Sequence, residues 1–369
     1  MSNILATFQY DEQMSTFSTA TTDPTIAICV PLEAELVAQI QRSAPGTTVL
    51  YDAGLLPPER YPADHHGDPD FRRSSEQEAR YWANILAADV LYGIPNESPA
   101  DLARAIRENP RLRWVHAMAA GAGGAVRAAG LSSAELSRVR VTTSAGVHAL
   151  PLAEFALLGL LSGFKRVAEM QADQQAKHWP TLRVPTRLLA GSRLVISGLG
   201  EIGLETARLA KALGMTVSGS KREVAPIDGI ESVVDNSGLP GLLAGADAVV
   251  NTLPGTPQTE HLFDAEMFAA FAPGTIFVNV GRGSVVDESA LLAALTDGTV
   301  SYACLDVFEQ EPLPAASPLW THPRVLVSPH SAALSAAENK LIAERFIANL
   351  ARFRAGEAMP HTVDPVHFY

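Results

Sequence analysis

The sequence predicts an α/β protein made of two doubly wound parallel-sheet domains. Short β-branched runs alternate with helical patterns twice over, once in residues 25–150 and again in residues 151–330. A long helical stretch beginning at Pro151 separates the two series, and a final amphipathic pattern over 335–354 follows the second. At 369 residues, 47% hydrophobic and 18% charged, the chain is long and apolar enough for two cores.

In the first series, TIAICV (25–30) reads as a strand and 33–43 as a helix. TTVLYD (47–52) and ADVLYGI (88–94) are the next strands. A helix starts near Ser98, with Pro99 at its first position, and ends before Pro110. LRWVHAM (112–118) is a strand, AAGAGG (119–124) a small-residue loop, and RVRVTTS (138–144) another strand. Residues 151–179 read as one helix, apolar first and polar later, with Trp179 expected to pack at its end. The second series has strands RLVIS (193–197), MTVSG (215–219), ADAVVNTL (246–253), GTIFVNV (274–280), YACLDVF (302–308) and RVLVSPH (324–330). Residues 1–24 are rich in Ser and Thr and are expected to be poorly ordered.

Composition narrows the function classes. A formal charge of −12 gives no global attraction to nucleic acid or anionic membranes, and no basic patch stands out. The most apolar later stretch, 153–161, is too short to span a bilayer, and the N-terminus lacks the basic start and apolar core of a secretion signal. The only cysteines, Cys29 and Cys304, lie in apolar strand-like runs and are expected to be buried thiols. A cytoplasmic protein is expected. His65 and His66 sit in a polar loop with Asp64 and Asp68, in no spacing that reads as a metal site, so none is assigned.

Gly198, Gly200 and Gly203 form a GxGxxG turn between the strand RLVIS and the helical run 204–213. Alone this pattern is weak, but between strand and helix it reads as a dinucleotide turn. The first glycine permits the tight turn and the second lets backbone approach a pyrophosphate. The third lets helix and strand pack closely, and the helix N-terminus faces the anion. An acid normally ends the next strand to bind the ribose hydroxyls. Here that place holds Ser220, Lys221 and Arg222, with no acid before Glu223. Two cations and a hydroxyl suit the extra 2′-phosphate of NADP, so NADP is expected in preference to NAD, which stays open.

Three later strands end in loops with complementary chemistry. Arg282 follows TIFVN, Glu311 follows YACL, and His330 follows RVLV. Reducing a 2-oxo acid needs a cation that grips the carboxylate and polarises the carbonyl, a task suited to a guanidinium. It also needs an acid that protonates the oxygen, a task suited to imidazole, with a carboxylate fixing the ring. Ligands of open parallel sheets bind outside the carboxyl ends of the strands, where these loops lie.

GLGEIG, NTLPGTPQT, NVGRGSVVDESAL, LDVFEQEP and SPH, in that order, resemble the D-isomer-specific 2-hydroxyacid dehydrogenase family, and the similarity covers nearly all of the chain after about residue 25. The resemblance implies a Rossmann cofactor domain, 151–330, inserted into a flavodoxin-like substrate domain of 25–150 and 331–369. It implies Arg282 as the substrate-binding arginine, Glu311 as the carboxylate partner and His330 as the acid–base. Asp306 would lie near the nicotinamide. With the glycines and the 220–222 turn, Glu201, Ile202, Thr252, Leu253, Pro254, Thr259, Val280, Gly281, Arg282, His330 and Ala332 would line the cofactor. Ala120, Gly121 and Ala122 resemble the family's substrate-carboxylate loop, although the family commonly has Asp where Gly123 stands. The implied reaction is hydride transfer between NAD(P)H and a small 2-oxo acid, glyoxylate- or hydroxypyruvate-like or larger, giving a D-2-hydroxy acid. A homodimer is also implied. Two alternatives within the superfamily are a phosphoglycerate dehydrogenase-like enzyme and a nucleotide-sensing corepressor.

Overall fold

A computed structural model describes residues 23–366 and 368. Apart from residues 23 and 24, the N-terminal segment expected to be poorly ordered lies outside the described residues. The chain divides into two compact units: residues up to Val147 together with those from Ala336 onward, and His148–Ser335. The second unit thus keeps residues 148–150 and 331–335, which the sequence reading assigned to the first.

The first unit holds five parallel strands: β1 (Thr25–Ile28), β2 (Thr48–Leu50), β3 (Val90–Tyr92), β4 (Trp114–Ala117) and β5 (Arg140–Thr143). Their order, β2-β1-β3-β4-β5, is the flavodoxin-like one. Side chains alternate between two buried faces. Ala27, Leu91 and Val115 enter one core, while Ile26, Val90, Tyr92 and Trp114 enter the other. The second core is completed by the helix Glu338–Ala355, whose Phe346 stacks on Trp114 with ring centroids 4.8 Å apart. The sequence reading passed over the helix Ser75–Ala87, which a reciprocal capping box of Ser74 and Gln77 starts. It also passed over two six-residue helices, Gly123–Ala128 and Ser133–Arg138; the first takes in the end of the loop expected at 119–124.

The second unit holds seven parallel strands: β6 (Arg193–Ser197), β7 (Thr216–Ser220), β8 (Val233–Val234), β9 (Ala248–Asn251), β10 (Thr275–Asn279), β11 (Val300–Leu305) and β12 (Val325–Val327). The order β12-β11-β10-β9-β6-β7-β8 is a dinucleotide-fold sheet extended by one strand, with its switch point between β6 and β9. The single helix expected over 151–179 is two helices, Ala149–Lys165 and Val167–Gln175, broken at Arg166 with φ +58°. The first half buries a core-facing stripe. None of Val167–Gln175 is fully buried and only Ala168 packs against the core, so little packing holds the two halves in line. Trp179 is 84% exposed and packs at no helix end.

Both cysteines are free and buried, one in each unit. Burial pushes both thiols far above the usual range, which keeps them unreactive. Among the described residues no helix is long and apolar enough to cross a membrane.

Candidate active site in the second unit

The glycine turn meets the demands of a dinucleotide turn one residue at a time. Gly198 has φ +101°, a conformation L side chains rarely adopt. A Cβ on Gly203 would stand 2.1 Å from the Gly198 carbonyl oxygen, so only glycine lets the helix Glu201–Ala212 sit this close to β6. Nothing lies within 4 Å of a Cβ built on Gly200, at the helix N-terminus. That open space beside unpaired helix amides is what an anionic pyrophosphate needs, so these residues fit a dinucleotide.

Neighbouring strand ends hold the turn in place. The Thr252 hydroxyl donates to the Gly198 carbonyl at 2.5 Å and to that of Ser197 at 3.2 Å. Ser220 is fully buried, and its Oγ accepts the Gly198 N–H at 3.2 Å. Its hydroxyl therefore braces the turn from inside, and Lys221 and Arg222 are left as the outward residues of the β7 end. Thr259 is likewise buried, donating to the Pro254 carbonyl at 2.7 Å and accepting the Thr256 N–H at 2.9 Å. Val280 points into the core, so only its backbone can face a ligand. Leu253 is buried, Ile202 half-buried, and Glu201 and Pro254 exposed.

Two residues that the sequence reading gave no role organise the next loops. Asn251 and Asn279, the last residues of β9 and β10, are buried and bonded to each other at 2.9 Å. Asn279 Oδ1 also accepts the Gly281 N–H, and its amide donates to the Arg282 carbonyl at 3.3 Å. The one signal for them in the sequence is an amide closing an otherwise apolar strand. Arg282 is exposed, donates to the Gly281 carbonyl at 2.7 Å, and has no carboxylate partner among the described residues.

Gly283 packs against the backbone of Phe308, where a Cβ would stand 1.8 Å from the carbonyl oxygen. The Arg282 loop therefore lies directly on the loop that carries Glu311. Glu311 Oε1 accepts the Phe308 N–H at 3.0 Å, and its Oε2 meets His330 Nδ1 at 2.7 Å. With Nδ1 so held, the ring's Nε2 has no partner among the described residues and half of the side chain is exposed. His330 has φ +52°, and its N–H donates to the Asp306 carbonyl at 2.9 Å. Asp306, expected near the nicotinamide, is buried with its Oδ1 turned to the protein. That oxygen accepts from Ser328 Oγ at 2.6 Å, Ser331 N at 2.9 Å and Ala332 N at 3.0 Å. It pins the turn that presents His330.

The chain matches the family model for the D-isomer specific 2-hydroxyacid dehydrogenase NAD binding domain over residues 157–332. A glyoxylate/hydroxypyruvate reductase A of Yersinia enterocolitica is 34% identical over 220 residues, 60% of this chain and 69% of that protein. A D-isomer specific 2-hydroxyacid dehydrogenase from Xanthobacter autotrophicus, solved with NADPH and MES, is similar with a TM-score of 0.73. It is 30% identical, and the match covers 94% of this chain and all of that one. The chain belongs to the D-isomer specific 2-hydroxyacid dehydrogenase family. It is accordingly an NAD(P)-dependent 2-hydroxyacid dehydrogenase. An NADPH-dependent glyoxylate/hydroxypyruvate reductase from Sinorhizobium meliloti, solved with NADP and sulfate, is also similar, with a TM-score of 0.69, 26% identity, and coverage of 94% of this chain and 99% of that one.

In the dehydrogenase's first unit, Ala120 and Gly121 are exposed and their N–H groups have no partner among the described residues, whereas Ala122 is buried in the core. A short turn, Ala122 N–H to the Ala119 carbonyl and Gly124 N–H to the Gly121 carbonyl, shapes this loop.

Proposed function

We propose that this dehydrogenase reduces a small 2-oxo acid of the glyoxylate or hydroxypyruvate type, with NADPH preferred over NADH. The observation that carries the reading is the His330–Glu311 pair, which leaves the His330 Nε2 open while the Arg282 loop, its guanidinium without a carboxylate partner among the described residues, packs on the loop that carries Glu311. Arg282 holds the substrate carboxylate and polarises the adjacent carbonyl through its planar fork. His330, oriented through Nδ1 by Glu311, presents a proton at Nε2 to the carbonyl oxygen as it becomes an alkoxide. The nicotinamide, when bound, supplies the hydride. The 198–203 turn, Thr252, Leu253 and the backbone of 280–282 would hold the dinucleotide, and the exposed Ala120 and Gly121 amides are proposed to contact a substrate carboxylate.

Lys221 and Arg222, with no acid between them and the strand end, favour a 2′-phosphate. The NADPH-bound and NADP-bound relatives support this preference, and the reductase relatives support the substrate class. Steady-state rates with glyoxylate, hydroxypyruvate and branched 2-oxo acids, each with NADPH and with NADH, test both parts. The small acids with NADPH are expected to give the highest kcat/KM. A tenfold or greater preference for NADH, or turnover of branched acids alone, would overturn the corresponding part.

A second copy of the chain is the proposed partner, docking on the second unit's exposed apolar residues Trp179, Leu182, Val184 and Leu188. Sedimentation should give twice the 39.2 kDa chain mass, and a particle of single mass at every concentration would contradict it.

A further inference from the structure

A second histidine–carboxylate pair stands two residues from the first. His261 Nε2 meets Glu309 Oε1 at 2.5 Å, and Glu309 and Glu311 flank Gln310. Like His330, His261 has a left-handed backbone, φ +46°, a conformation uncommon outside glycine.

This pair joins three segments. The His261 N–H donates to the Ser284 carbonyl at 2.8 Å, and Phe263 N–H to the Val285 carbonyl at 3.0 Å, so the 261–263 segment lies along the loop just after Arg282. The imidazole then reaches across to Glu309. Glu309 and Glu288 close the link reciprocally: Glu309 N–H donates to Glu288 Oε1 at 2.9 Å, and Glu288 N–H to Glu309 Oε2 at 3.3 Å. Glu309 directly follows Phe308, whose N–H is held by Glu311 and whose carbonyl abuts Gly283.

We propose that His261 and Glu309 are positioning residues, a clamp that fixes the Arg282 loop against the loop carrying Glu311 and so sets the guanidinium at its working distance from the His330 proton. The clamp's residues are not among those proposed to hold substrate or dinucleotide. Its loss therefore displaces the two halves of the reacting site without altering the groups themselves, and small displacements of reacting groups are costly. The glycine turn is held by Thr252 and Ser220, which the clamp does not contact.

This inference rests on the proposed reaction, and its tests are chosen to separate the two. With a 2-oxo acid that the wild type reduces, His261→Ala and Glu309→Ala should each lower kcat/KM about tenfold, with the Kd for NADPH within about twofold of wild type. The double variant should fall no further than the worse single one, because either substitution opens the same clamp. His261→Gln, which keeps a donor toward Glu309, should recover most of the activity, while His261→Phe, which keeps a ring without a donor, should not. Wild-type kcat/KM in both alanine variants, losses that multiply in the double variant, an equal loss of NADPH affinity, or Phe outperforming Gln would each overturn the clamp. Amide hydrogen exchange reads it without turnover. His261→Ala should speed exchange in both 282–288 and 306–311 and leave 198–203 unchanged. Faster exchange confined to 256–263 would also overturn it.

Discussion

The carboxyl edges of the two sheets differ in how completely their loops are tied. In the second unit nearly every strand end is tied by side chain to a neighbouring loop: Thr252 and Ser220 to the glycine turn, Asn279 to Gly281, Asp306 to residues 328–332, and Glu311 to His330. In the first unit the corresponding edge keeps polar groups without partners. Among the described residues the Ala120 and Gly121 amides are open, and the Tyr92 hydroxyl and Glu97 Oε1 are buried with no hydrogen bond, while Ser144 Oγ ties the β4 end and Ser197 Oγ is the second unit's one such orphan at a strand end. A reaction step shared by a whole family favours loops locked in advance, because preorganised groups need not rearrange as charge develops. The first unit's edge leaves more of its polar groups uncommitted.

The comparison is most exposed to substitution at His330. His330→Ala should lower turnover by ~10²–10⁴-fold, since a positioned acid is worth that much, while fluorescence titration shows NADPH affinity nearly unchanged. A comparable loss of affinity would place the residue in the cofactor's support instead. A smaller effect is expected for Arg282→Lys, which keeps the charge but loses the planar fork. Losing a charged hydrogen bond of about 1.5–3 kcal/mol corresponds to roughly tenfold to a hundredfold in kcat/KM. Unchanged kinetics would remove Arg282 from the substrate site.

The smallest effect belongs to the first unit and concerns stability. Burial pushes the Glu97 carboxyl up to about 7 from an ordinary 4.5. The folded state therefore holds this proton over a range where the unfolded chain has released it. Stability is unaffected below about 4.5, declines as pH rises toward 7, and stays lowered above that. Glu97→Gln removes the ionisation, so thermal melting at pH 8 should show a gain on the order of 1 kcal/mol that shrinks toward zero near pH 4. A gain independent of pH would mean that the carboxyl's charge is not the cause.

Much of this was legible in the sequence where a residue type and its place in a strand–loop–helix unit are jointly constrained. The three glycines, Arg282, Glu311 and His330 are of that kind, as are the two alternating series that became the two sheets. Side-chain direction at strand ends was not legible. Ser220, Thr259 and Asp306 carry groups that would suit a ligand, and each also holds a loop through its side chain, because a buried loop amide or carbonyl must find a partner. Asn251 and Asn279 were given no role for the same reason. The break at Arg166 was hidden because both sides of it are good helix formers, and only the lack of a buried face beyond it separates them. Trp179 looked like packing by composition alone and lies open.

In the proposed reaction Arg282 on the carboxylate and His330 at the oxygen present a single face of the carbonyl to the hydride. Chiral analysis of the glycerate formed from hydroxypyruvate in excess NADPH tests it most directly. The D enantiomer alone is the expected product. L-glycerate or a racemic mixture would contradict the arrangement.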